Sequence, residues 1–135
     1  MPGTDFEALF AAAAQVQKLA YAPYSRFRVG AAILAEDGAV HTGCNVENAA
    51  YPSGSCAEQG AISAMIAGGS KRIAAILVFG EGEALVTPCG ACRQRIREFA
   101  EPDTPVTIAG PDGIRARFSL GELLPASFGP DNLRR

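Results

Sequence analysis

The sequence predicts an α/β fold in three layers, a five-stranded mixed sheet with helices on its faces. Three observations lead there. The N-terminal segment has helical periodicity, five short apolar or alternating runs have strand length, and two further helix signals fall between those runs. At 135 residues the chain fits one domain, spanning 1–135, with room for one hydrophobic core and one site.

From Asp5 to Ala20 the apolar residues Phe6, Leu9, Phe10, Ala13, Val16 and Ala20 recur at three- and four-residue steps, which is one face of an amphipathic helix. Pro23 stops it. Phe27 to Leu34 reads as a buried strand joined through the Asp37-Gly38 turn to a second strand, Ala39 to Val46. Ser53-Gly54-Ser55 then precedes an alanine-rich helix from Cys56 to Ala67, closed by Gly68-Gly69. Ile73 to Phe79 is a third strand. Thr87-Pro88 has the form of an N-cap followed by proline at the first helical position, so a helix is expected to open there and run to about Ala100, before Pro102. Val106 to Ala109 and Arg115 to Phe118 flank a Pro111-Asp112-Gly113 turn as the last two strands.

Composition narrows the function. The chain is 48% apolar with a net charge of −2, as soluble globular proteins are. Its Lys and Arg residues are scattered, so the basic surface of a nucleic-acid binder is not expected and a small neutral substrate fits better. No apolar stretch approaches the ~20 residues that span a bilayer, and Met1 to Glu7 lack a basic segment leading into an apolar run; no membrane partner and a cytoplasmic address are expected. In a reducing compartment, the close spacing Cys89-Gly90-Ala91-Cys92 points to metal or redox work rather than to a disulfide.

Metal is the better reading because a third cysteine, Cys56, stands at the start of the other central helix. Catalytic zinc takes three protein ligands and keeps one position open, and Cys56, Cys89 and Cys92 supply such a set. Helix N-termini favour thiolate over thiol and offset part of the excess negative charge that three thiolates leave around a dication. Glu58, two residues past Cys56, is placed to move protons without being a ligand; alternatively Ser55-Cys56-Ala57-Glu58 is an S-x-x-E capping box. Cys44 and His41 read as structural: Cys44 falls on the opposite strand face from Asn45, and a single His lacks partners.

The assembled pattern, Cys56-Ala57-Glu58 followed 33 positions after Cys56 by Cys89 in Pro88-Cys89-Gly90-Ala91-Cys92, resembles the signature of the zinc deaminases. Tyr24-Ser25-Arg26-Phe27-Arg28-Val29-Gly30-Ala31-Ala32, Gly43-Cys44-Asn45-Val46-Glu47-Asn48-Ala49, Cys92-Arg93-Gln94 and Leu123-Leu124-Pro125 further resemble the small cytidine deaminases. Cysteine at the first ligand position resembles the free-nucleoside branch, whose nucleic-acid-editing relatives carry histidine there.

The resemblance implies one Zn2+ per chain and hydrolytic deamination of cytidine and 2′-deoxycytidine in pyrimidine salvage, with zinc-bound hydroxide adding to C4 and Glu58 shuttling protons. It implies a homotetramer with sites near subunit interfaces. The backbone N–H groups of Ala57 and Cys89 would hold the base and the reacting oxygen, Phe27 would pack on the pyrimidine, Asn45 and Glu47 would bind the sugar, and Phe128 would reach a neighbour's site. Taken by themselves Phe27 is a core residue, Asn45 with Glu47 a solvated turn and Phe128 an anchor for the tail.

One position departs from the family. Relatives with three cysteine ligands often carry Arg immediately after the catalytic Glu, to hydrogen-bond the sulfurs, and here Gln59 stands there. Arg93, directly after Cys92, is the expected replacement. Rival readings are a deaminase of a related cytosine compound such as blasticidin S, a structural zinc protein closed by Cys44, and an RNA or DNA editor.

Overall fold

The computed structural model describes residues 3–134, and Met1, Pro2 and Arg135 lie outside it, as does the start of the Met1–Glu7 segment considered above. The elements are α1 (Gly3–Gln17), β1 (Val29–Ala35), β2 (Val40–Cys44), α2 (Ala57–Ala67), β3 (Ile73–Gly80), α3 (Gly90–Phe99), β4 (Pro105–Gly110), β5 (Gly113–Ser119) and α4 (Leu120–Leu123). Short 3-10 turns cover Tyr51–Ser53 and Pro130–Asn132. The five strands form one sheet in the order β2-β1-β3-β4-β5, antiparallel except for the β3–β4 pair. A parallel pair needs a crossover, and α3 is that crossover.

Strand alternation sorts the apolar residues into two layers. Ala31, Ile33 and Ala35 of β1 with Ile76 and Val78 of β3 face α2 and α3, meeting Ala61, Met65 and Ile96. Ala32, Ala75, Leu77 and Phe79 face α1, meeting Leu9 and Ala13. Phe10 adds an edge-on contact with Phe79 at 5.6 Å between ring centroids. The expected three layers with a five-stranded mixed sheet are therefore present.

Two glycines set how closely helices approach the sheet. A Cβ at Gly43 of β2 would run into the backbone of Ala57, Gly60 and Ala61 in α2, and one at Gly30 of β1 would run into Ala13 and Gln17 of α1. Close backbone approach is a use that only glycine permits. Gly43 thereby seats the first turn of α2, which carries Glu58.

Helix starts and ends differ from expectation at three places. α1 closes at Gln17 rather than at Ala20, because the amides of Leu19 and Ala20 donate to Val16 O and Gln17 O in a tightened closing turn. α3 begins two residues later than Thr87-Pro88 suggested: Cys89 is its N-cap in extended conformation (φ −66°, ψ 167°), and Arg93 N–H donates to Cys89 O at 2.9 Å. Thr87 does not cap because its hydroxyl accepts from Arg93 Nη2 at 3.1 Å instead. α4 was not expected; it is a single turn closed by a reciprocal Ser119–Glu122 capping box.

Candidate active site

Cys56 and Cys89 occupy equivalent positions. Each is the N-cap of its helix, each is in extended conformation, and neither makes a side-chain cap hydrogen bond. Cys92 follows in the first turn of α3, on the same face as Cys89 and fully buried. The three sulfurs lie within 4.8 Å of one another, and among the described residues this is the group suited to a metal. Cys44 is not part of it, and His41 instead meets the Ser70 hydroxyl at 3.2 Å, which donates to Asp37 at 2.6 Å.

The donor set fits zinc. Burial raises the Cys92 and Cys56 thiols above their ordinary value, and the negative charges of Glu58 and the neighbouring cysteines add to it. At Cys89 burial acts in the same direction, but the N–H groups of Cys92 and Ala91 and the neighbouring thiols outweigh it and hold Cys89 below the ordinary thiol value. Three sulfurs so close ionise together only where a cation shares their charge, which a dication bound by three thiolates provides.

Glu58 stands in the first turn of α2 with 5% of its surface exposed. It does not cap the helix: the N-cap is Cys56, and the Ser55 hydroxyl donates to Cys56 O at 3.3 Å. Burial pushes its carboxyl up, moderated by its own backbone N–H and by the charge of Arg95. A carboxyl raised in this way is suited to both taking and giving a proton near neutral pH.

The arginine expected at the sulfurs is not Arg93. Its guanidinium is held by Pro88 O at 2.7 Å, Leu123 O at 2.9 Å and Thr87 Oγ1 at 3.1 Å, so it pins the loop before Cys89 to the α4 end. Successive helix residues point about 100° apart, which carries Arg93 away from the Cys92 side chain. Arg95, three residues after Cys92, returns to that face and donates to Cys92 Sγ at 3.5 Å. The half-buried Gln59 side chain makes no hydrogen bond among the described residues.

Beside Cys56 opens a cavity of about 500 Å³ whose lining includes Tyr24, Ser25, Asn45, Glu47, Asn48, Tyr51 and Ser55. Its floor is a strap: Val46 pairs with both Tyr21 and Ser55, which draws the end of β2 alongside the start of α2. Asn45 accepts from Val29 N–H at 2.8 Å and donates to Phe27 O at 2.9 Å. Glu47 accepts from the N–H of Tyr24 at 3.0 Å, the N–H of Ser25 at 3.1 Å and the Ser25 hydroxyl. Both polar residues thus grip the segment 24–29, which carries Phe27. The Phe27 ring is 37% exposed rather than a core residue, and Ala57 is buried at the head of α2. Phe128 is 58% exposed and lines a separate surface hollow with Gln94 and Glu98, away from the cysteine cluster of its own chain.

Comparison with known proteins agrees with this geometry. Residues 4–108 match the family described as "Cytidine and deoxycytidylate deaminase zinc-binding region". A cytidine deaminase of Mycobacterium tuberculosis is 45% identical over 136 aligned positions, covering 100% of this chain and 98% of that protein. One of Sporosarcina psychrophila is 41% identical over 129 positions, covering 96% of this chain and 95% of that protein. The crystal structure of cytidine deaminase from Burkholderia pseudomallei superposes with a TM-score of 0.85 at 43% identity, over 95% of this chain and 100% of that one. Fold, three-cysteine group and similarity over nearly the whole length converge: the chain belongs to the zinc-dependent cytidine deaminase family.

Proposed function

We propose that this chain catalyses hydrolytic deamination of free cytidine and 2′-deoxycytidine, giving uridine or 2′-deoxyuridine and ammonia. The observation that carries the reading is a buried Glu58 carboxyl set among three cysteine sulfurs at two helix heads, beside a cavity of the size that holds small molecules. Zinc, held by Cys56, Cys89 and Cys92, supplies the Lewis acidity that makes water nucleophilic at neutral pH.

The remaining chemistry belongs to the chain's own residues. Glu58 accepts a proton from the attacking water and delivers it to N3 of the pyrimidine as the water oxygen bonds to C4. It then accepts the second proton from the new C4 hydroxyl and passes it to the amino group. The C4–N4 bond breaks, ammonia leaves and the C4 carbonyl forms, so the carboxylate ends as it began. The backbone N–H groups of Ala57 and Cys89, at the two helix heads, orient the base and the reacting oxygen. Phe27 packs on the pyrimidine, and Asn45 and Glu47 bind the ribose 3′-OH while keeping the 24–29 segment in place. Phe128, exposed on its own chain, completes a neighbour's site in a homotetramer. We assign residues 1–135 to one catalytic domain working in the cytoplasm in pyrimidine salvage. None of the described helices is long and apolar enough to cross a membrane.

The test is a substrate panel with zinc-loaded protein, following ultraviolet absorbance and ammonia release for cytidine, deoxycytidine, blasticidin S and a cytosine-containing oligonucleotide. Turnover of the two nucleosides, with the others at background, is the expected result. Turnover of only blasticidin S or the oligonucleotide would replace this reading, and a zinc-loaded, folded protein inactive on all four would end it.

A further inference from the structure

We infer that Arg95 is the positioning residue that offsets the thiolate charge of the metal site, through its contact with Cys92, in place of any cation from the α2 side; the inference rests on the reading of the three cysteines as the zinc ligands. The residue after Glu58 is Gln59, which brings no charge. Arg95 reaches the cluster from the other helix, with Nη1 3.5 Å from Cys92 Sγ. Among the described residues, Arg95 is the cationic side chain within hydrogen-bond reach of a cluster sulfur, since Arg93 and Arg97 are engaged elsewhere.

The charge balance gives this contact a purpose. Three thiolates around a dication leave one net negative charge, and Cys92 is the fully buried member, where an uncompensated charge is most costly. A guanidinium hydrogen bond to that sulfur withdraws charge from the metal–thiolate unit, and Arg95 also bears on the Glu58 carboxyl. The contact that carries the inference is therefore the one to Cys92 Sγ. Arg95 is an exposed residue, so replacing it opens no cavity in the core.

The experiment is zinc affinity by competition with a chromogenic chelator, together with the thiolate-to-metal absorption of the cobalt-substituted protein. Arg95→Gln should weaken zinc binding roughly 10- to 100-fold and move the thiolate-to-cobalt band to lower energy. Arg95→Lys should recover part of the affinity, and Gln59→Arg added to Arg95→Gln should recover most of it by supplying the charge from α2. Arg95→Gln that binds zinc within twofold of the parent, with an unmoved cobalt band, would overturn the inference. So would a loss that neither Arg95→Lys nor Gln59→Arg repairs, because packing rather than charge would then be at work. A parent protein that takes up no zinc would overturn the metal reading itself, and the first titration separates that case from the others.

Discussion

The two ends of the site are built differently. At the metal end, Cys56, Cys89, Cys92 and Glu58 come from two helix heads that rest on the core residues Ala61, Met65 and Ile96, and Glu58 and Cys92 are buried. At the recognition end, Tyr24 and Phe27 are exposed, Tyr51 is 77% exposed, and the segment that carries the first two is held by hydrogen bonds from Asn45 and Glu47 near the surface. Groups proposed to act at the metal are fixed by packing, whereas groups proposed to meet the substrate hang on polar contacts that water competes for. The metal end is complete within one chain. The recognition end is exposed on this chain, and it is there that the proposed neighbour's Phe128 would act.

The contrast fails first if the metal end tolerates damage. Cys92→Ala should abolish both zinc uptake, read by atomic absorption, and deamination, because it removes a buried ligand. Gly43→Ala should come next: the added methyl meets the backbone of α2 and should destabilise the fold by about 1–3 kcal/mol while loosening zinc, read by thermal melting with and without chelator.

Changes at the recognition end should be milder and leave the metal alone. Phe128→Ala should keep the zinc content, because the ring makes no contact with the cysteine cluster of its own chain, and raise KM roughly 2- to 10-fold as the proposed aromatic contact in a neighbour's site is lost. The smallest effect should be the acid response of Glu47. Hydrogen bonds from the Ser25 hydroxyl and N–H, then from Tyr24 N–H, hold its carboxyl below its ordinary 4.5. A lowered carboxyl stabilises the folded state above the unfolded value, and that contribution is lost as pH falls through the folded value. The Tyr24 and Ser25 amide resonances should therefore shift as pH falls below 4.5, and Glu47→Gln should remove that shift.

Much of this is readable from the chain, and most of the exceptions are contacts made in space rather than along it. The sheet, its three long helices and the cysteine group follow from periodicity and spacing, which are local signals. Arg93 and Arg95 show where linear reading fails. Adjacency to Cys92 favoured Arg93, but once α3 is a helix the neighbour in space is three residues on, so the same helical spacing that pairs Cys89 with Cys92 also pairs Cys92 with Arg95. The start of α3 was misjudged for a related reason. Thr87-Pro88 has the right residues for a cap, yet Thr87 is claimed by the Arg93 side chain, a tertiary contact that sequence does not display. The turn α4 carries its own signal in Ser119 and Glu122, but four residues are too few for periodicity to register. The roles of Asn45 and Glu47 as clasps on the 24–29 segment depend on the Val46 strap between Tyr21 and Ser55, which brings together positions far apart in the chain.

The central claim is that Glu58 moves protons at a site whose metal it does not hold, and Glu58→Gln tests it most directly. The variant keeps the shape of the side chain and removes its proton chemistry. It should retain one zinc per chain and the parent melting temperature while kcat on cytidine falls by roughly 10²- to 10⁴-fold. A zinc-loaded, folded Glu58→Gln protein turning over cytidine within tenfold of the parent would contradict the account.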